Sequence, residues 1–305
     1  MRLQVDHLTH YDYTPAVSEA LHRLHLAPRH GEGQQVLQHE LQIAPQPARV
    51  DRSTDAFGNT THFFSLSEPH TTLSVRSRSL VQTVGAPALP PDLPWEAVRE
   101  LLRYARGQTP MAASEFAAPS ELIAPHPELL AYARSSFADG RPLADAALDL
   151  MHRVHADFRY APQATDVHTP VIEAFRMRRG VCQDFAHLMI ACLRALGLAA
   201  RYVSGYMLTH PPPGQARLIG ADASHAWCAV WLAQPDGNTA GTWLELDPTN
   251  DRVPGEEYVR VAVGRDYADV SPVRGVIQGA AAHTLRVEVT VMPVAEPQSS
   301  VQDPT

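Results

Sequence analysis

Three cysteines in 305 residues, none in a Cys-x-x-Cys pair, are too few and too odd in number for a disulfide framework. Free thiols in a reducing compartment are the simplest account. The start Met1-Arg2-Leu3-Gln4-Val5-Asp6 has no apolar core and no cleavage signature, so the chain reads as cytoplasmic. No run approaches the roughly 18 consecutive apolar residues of a membrane span, which leaves no expectation of a membrane partner. A basic tract is also missing: 25 Lys and Arg stand against 33 Asp and Glu, for a formal net charge of −8. A nucleic-acid partner would need the opposite electrostatic footprint. There is no internal repeat. What is present is ordinary for a globular protein, 45% hydrophobic and 19% charged, at a length that allows two domains and a substantial core.

Residues 1–84 read as a small all-β domain, with alternating runs at Leu37, His39, Leu41, Ile43 and at Leu73, Val75. Gly58-Asn59 suits the positive φ of a hairpin turn between flanking strands. The segment 85–94, with prolines at 87, 90, 91 and 94, cannot sustain helix or central strand and reads as a linker. From Trp95 the spacing turns helical, as in Leu129, Leu130, Ala133 and in Ala146, Ala147, Leu150, Met151, Val154. A further helix is expected from about Cys182 to Leu196, capped by Gly197. Strands are expected at 201–208, 225–232, 242–247, 257–263 and 284–292. Residues 95–292 thus form a helix-then-sheet α+β unit, and 293–305 a flexible tail.

Three groups in this second unit carry chemistry. Cys182 opens its helix, where unpaired N–H groups favour a thiolate. Cys192 lies ten residues along the same helix in the apolar stripe, and Cys228 is an odd number of residues from His225 in a strand, so both point elsewhere. His225, Trp227, Ala229 and Trp231 share one strand face; Trp243, Glu245 and Asp247 share a face of the next. A hairpin centred on Asp236 puts residues summing to 472 opposite each other, which pairs His225 with Asp247. The long connecting loop could hold a bulge that changes the register, so Glu245 is the rival carboxylate. A thiol, an imidazole and an orienting carboxylate are what a cysteine nucleophile needs. Each of these residues alone has a blander account: a buried thiol, a core histidine, a strand-ending turn. Asp184 and His187 share a helix face as supporting groups or a solvated pair. His7/His10, His22/His25 and His152/His155 lack the cluster and spacing of a metal site, so no metal or cofactor is expected.

The motifs Gly180-Val181-Cys182-Gln183-Asp184-Phe185-Ala186, His225-Ala226-Trp227 and Asp247-Pro248 resemble the bacterial branch of the transglutaminase-like superfamily. The resemblance implies a papain-like core with the nucleophile helix packed on an antiparallel sheet, Cys182 as nucleophile, His225 as base and Asp247 as orienting residue. The amino-terminal strands with Phe57-Gly58-Asn59 are similar to the β-domain that commonly precedes this core, and 264–270 to its carboxy-terminal extension. Animal cross-linking members carry a tryptophan-containing stretch after the cysteine and bind calcium; Gln183-Asp184 stands here, with no calcium loop. Tyr160 is a candidate second oxyanion donor by position, and Gln183, Asp184 and Trp227 are further oxyanion or supporting candidates. The expected function is hydrolysis of a peptide, protein or other amide through a thioester, since Gln183, Asp184, Asp222 and Ser224 make the surroundings polar. Trp227 and Trp231 are counter-indications, because they could wall a channel for a second substrate. Acyl transfer to an amine and peptide binding with little turnover are the alternatives.

Overall fold

The structure, a computed structural model, describes residues 1–31, 33–86, 88, 92–103, 111–210, 224–234, 240–279 and 282–294. Part of the proline-rich linker, Asp222, the turn about Asp236 and the tail from 295 lie outside the described residues. Six strands come first: β1 (Arg2–Val17), β2 (Glu19–Leu24), β3 (Gln34–Ala44), β4 (Val50–Thr54), β5 (Thr60–Leu66) and β6 (His70–Thr83). The middle holds α1 (Trp95–Leu102), α2 (Pro127–Arg134), α3 (Leu143–Asp157), β7 (Arg159–Tyr160), α4 (Val171–Met177), β8 (Arg179–Gly180) and α5 (Cys182–Ala195). Then follow β9 (Ala200–Met207), β10 (Ser224–Leu232), β11 (Thr242–Leu246), β12 (Tyr258–Gly264), α6 (Tyr267–Val270), β13 (Val273–Gln278) and β14 (Ala282–Pro293). Among the described residues no helix is long and apolar enough to cross a membrane.

The fold is α+β with antiparallel main sheets. The amino-terminal strands build two sheets, ordered β14-β1-β6-β3 and β13-β2-β5-β4, which share a core of Tyr13, Val17, Leu24, Leu26, Phe64, Leu66, Leu73 and Val75. The expected hairpin joins β4 to β5, with Gly58 at φ +78° and the Asp55 carboxylate accepting from the Phe57 and Asn59 N–H groups. The carboxy-terminal strands depart from chain order. Expected within the helical unit, β13 instead pairs with β2, and β14 runs along β1 from Leu3↔Pro293 to Thr14↔Ala282. Without β14 that flank of β1 would be a long unpaired edge. No local pattern reveals a partner some 280 residues away.

The third sheet, ordered β11-β10-β9-β12, carries α5 on one face. Every residue from Gln183 to Arg194 is buried, because α2, α3 and α4 cover the side of α5 that the sheet does not. Gly197 ends the helix at φ +82°, with the Gly197 N–H donating to Arg194 O and the Leu198 N–H to Leu193 O. The other face of the sheet buries Val203, Trp227, Ala229, Tyr258 and Val263, with Phe57 of the β4–β5 turn packed against them.

Edge strand β12 is closed by two side-chain amides from the amino-terminal sheets. Gln34 accepts from the Arg260 N–H at 2.9 Å and donates to Arg260 O at 2.7 Å. Asn59 does the same at Val263, at 2.9 and 2.7 Å. Each amide takes the place of a neighbouring strand's peptide unit. Asn59 is fully buried and also accepts from Arg29, so Asn59→Ala leaves a buried N–H and C=O without partners. The expected loss is about 2–5 kcal/mol of unfolding free energy in a urea titration. An unchanged midpoint would mean that water replaces the amide.

Candidate active site

Cys182 is the first residue of α5 and is half-buried. The local sequence explains how it is held. Asp184, in the first turn, reaches back so that its Oδ2 accepts from the Val181 N–H at 2.8 Å and from the Thr165 hydroxyl at 2.6 Å, the return half of a capping box. Residue 180 must be glycine, because a Cβ there would lie 2.5 Å from Asp184 Oδ2. Burial raises the Asp184 carboxyl above its ordinary pKa, only partly opposed by these hydrogen bonds. Gln183 donates to Val167 O at 3.2 Å and ties the 161–170 loop to the helix start. Tyr160 pairs with Gly180 in the short β7–β8 ladder, two residues from Cys182. Its phenol pKa is raised by burial and then by negative charge on Cys182.

His225 and Asp247 meet, but not through the expected register. Observed pairs such as Cys228↔Leu246 and Ala229↔Glu245 sum to 474, two more than expected. A shift of two keeps every side chain on its own face, so His225 and Asp247 become diagonal neighbours instead of direct opposites. Asp247 lies just past the end of β11, where its backbone bridges Arg252, and its side chain is fully buried. His225 Nε2 donates to Asp247 Oδ2 at 2.7 Å. Burial opposes a charged imidazole, but the hydrogen bonds and charges of Asp247 and Cys182 outweigh it and raise His225 to about 10. Asp247 is fully buried; burial pushes its carboxyl upward, yet the contacts from His225, Asn250 and Tyr258 leave it below the ordinary value.

The rival carboxylate is engaged elsewhere: Glu245 accepts from Trp227 Nε1 at 3.0 Å and from Arg260 Nε at 2.6 Å. That contact also removes Trp227 from the oxyanion candidates, since its N–H is taken and the ring is wholly buried. Trp231 is buried too and donates to Ala240 O, so neither ring lines an open channel. Asp184 and His187 do not pair: buried His187 accepts from the Tyr267 N–H. Burial raises Cys192 to about 12 and holds Cys228 well above the ordinary thiol value. Among the described residues no group of three or more His, Cys, Asp or Glu is arranged to hold a metal ion.

The description of the transglutaminase-like superfamily matches residues 131–248, a span that contains Cys182, His225 and Asp247, and that of the bacterial transglutaminase-like N-terminal region matches residues 3–82. The chain belongs to the transglutaminase-like superfamily. An uncharacterized protein of Mycobacterium tuberculosis is 44% identical over 287 residues, covering 90% of this chain and 87% of the relative. A protein-glutamine gamma-glutamyltransferase of Pseudomonas aeruginosa is 31% identical over 134 residues, 38% of this chain and 19% of that protein. The crystal structure of a candidate cysteine protease from Cytophaga hutchinsonii shares the fold at a TM-score of 0.71 and 21% identity, covering 97% of this chain and 92% of that one.

Within this transglutaminase-like core, several further groups surround Asp247. Tyr258 donates to Asp247 Oδ2 at 2.7 Å, as does Asn250 Nδ2 at 2.8 Å, while Oδ1 accepts from the Thr249 and Asn250 N–H groups. The Asp-Pro-Thr-Asn turn is the signal that points to Asn250, since an aspartate at a turn accepts from the backbone N–H groups two and three residues on. Tyr258 lies on another strand and had no signal.

Proposed function

We propose that the protein is a cysteine-dependent amide hydrolase acting on a peptide, protein or other amide. The observation that carries this reading is His225, held by Asp247 at 2.7 Å and interacting with Cys182 at a helix start. Cys182 sulfur, as thiolate beside the imidazolium, attacks the carbonyl carbon, and the oxyanion is met by the Cys182 N–H and by Tyr160. His225 gives its proton to the departing amine as the C–N bond breaks, leaving a thioester. It then takes a proton from water, which attacks the thioester as the C–S bond breaks, releasing the acid and restoring the thiolate beside the imidazolium. Asp247 holds the ring in register and stabilises its charge throughout. Three unpaired thiols fit a reducing compartment, the cytoplasm, and neither nucleic acid nor a membrane enters the scheme.

The name of the Pseudomonas relative favours a second reading, acyl transfer to an amine. The test is incubation with a panel of peptide amides and activated acyl donors, with and without a primary amine, and product analysis by mass spectrometry. The chain contains no lysine, so no ε-amine of its own competes as acceptor. Free acid is expected to dominate at modest amine concentration. Predominant amide exchange would reverse the choice, and no turnover with a labelled Cys182 would leave a peptide-binding protein.

A further inference from the structure

We propose that Glu245 is a positioning residue for His225, acting through Trp227, an inference that rests on the reading of Cys182 and His225 as nucleophile and base. Both oxygens of Glu245 are committed inside the protein, Oε2 to the indole N–H of Trp227 and Oε1 to Arg260. Arg260 is in turn fixed by its backbone, whose N–H and C=O are both bound by Gln34 from the amino-terminal sheet. The carboxylate is therefore a rigid acceptor, and the indole hung from it has one orientation.

That indole is the surface on which the imidazole lies. The His225 and Trp227 rings are stacked with centroids 5.8 Å apart and 28° between their planes. Trp227 cannot slide away, because its edge fills the space over Gly205, where a Cβ would come within 2.6 Å of the ring. Its other neighbour is Tyr258, edge-on at 5.3 Å, whose hydroxyl holds Asp247. The imidazole plane is thus set by Trp227 while Asp247 sets its tautomer.

Stability does not account for this arrangement. A buried carboxylate–guanidinium pair contributes little over apolar residues of the same size, because desolvation offsets the attraction. Glu245 and Arg260 have side chains only 9% and 7% exposed. The pair does supply a fixed acceptor under the indole, which an apolar pair could not.

The probe is iodoacetamide, read as the alkylation rate of Cys182 across pH in the full chain, alongside the melting temperature and the NMR signals of the His225 ring. Trp227→Phe keeps the ring and removes the N–H anchor; Glu245→Gln keeps an acceptor but loses the charge that fixes it against Arg260. Each is expected to lower the mildly acidic alkylation rate about tenfold or more and to shift the His225 signals. The double variant should be no slower than the worse single one, as expected for residues acting in series. A lower melting temperature with an unchanged pH profile would overturn the proposal and make Glu245 a core ion pair. Should Glu245→Gln fail to fold, Trp227→Phe decides alone. Asp247→Asn separates this proposal from the reading beneath it. If that variant collapses the acid-side rate while the other two do not, only the positioning role is lost; if it too is silent, the triad reading fails.

Discussion

Cys182→Ala is expected to abolish amide turnover, by about 10⁴-fold or more, and to remove the thiol that reacts first with iodoacetamide at mildly acidic pH. The two parts test different links. Loss of turnover tests whether the sulfur forms the covalent intermediate; loss of acid-side labelling tests whether it is the thiol paired with a charged imidazole. Cys192 and Cys228 are fully buried, and burial pushes both thiols upward, so neither should substitute. Because Cys182 is half-buried at a helix start and outside the tightest packing, the alanine variant should fold. Peptide mapping that finds Cys192 or Cys228 alkylated faster in folded wild-type protein would sink the assignment.

Asp247→Asn should lower turnover about 10³- to 10⁴-fold, since an amide can present its NH₂ to His225 and hold the wrong tautomer. It also reaches stability. Asp247 Oδ2 accepts from His225, Asn250 and Tyr258 with no exposure to solvent, so loss of the charge should cost about 3–5 kcal/mol at neutral pH. The pH window follows from the two shifts. His225 is raised from 6.5 to about 10, so its contribution is complete below about 6.5 and is lost as pH rises through about 10. Asp247 is lowered, so its contribution is present above the unfolded value of 3.8 and is lost as pH falls through its folded value. The gap in melting temperature between wild type and Asp247→Asn should be widest between these limits and narrow beyond both. A pH-independent gap would mean that the variant merely disturbs packing.

Much of the fold was legible because its determinants are local. The helix expected at 182–196 is found at Cys182–Ala195, and the expected strands at 201–208, 225–232 and 257–263 lie within one residue of β9, β10 and β12. Alternation, helical spacing and a glycine cap act over a few residues, where a sequence can be read directly. The meeting of His225 with Asp247 was legible for a less direct reason. The expected register was wrong by two, but strand faces repeat every two residues, so the error left both side chains on the same face.

What the sequence by itself determined is the chemistry and its order along the chain: a thiol at a helix start, an imidazole in a strand, a carboxylate at the next strand's end. Tertiary structure alone decided which groups hold these in place. Tyr258 reaches Asp247 from another strand, Gln34 and Asn59 close the edge of β12 from more than 200 residues away, and β14 returns to complete the first sheet. It also chose between two carboxylates on one face, giving Asp247 to His225 and Glu245 to Trp227. The reason is physical: a buried donor or acceptor is satisfied by whatever the packed chain brings within about 3 Å, and that distance carries no signature in the residues on either side.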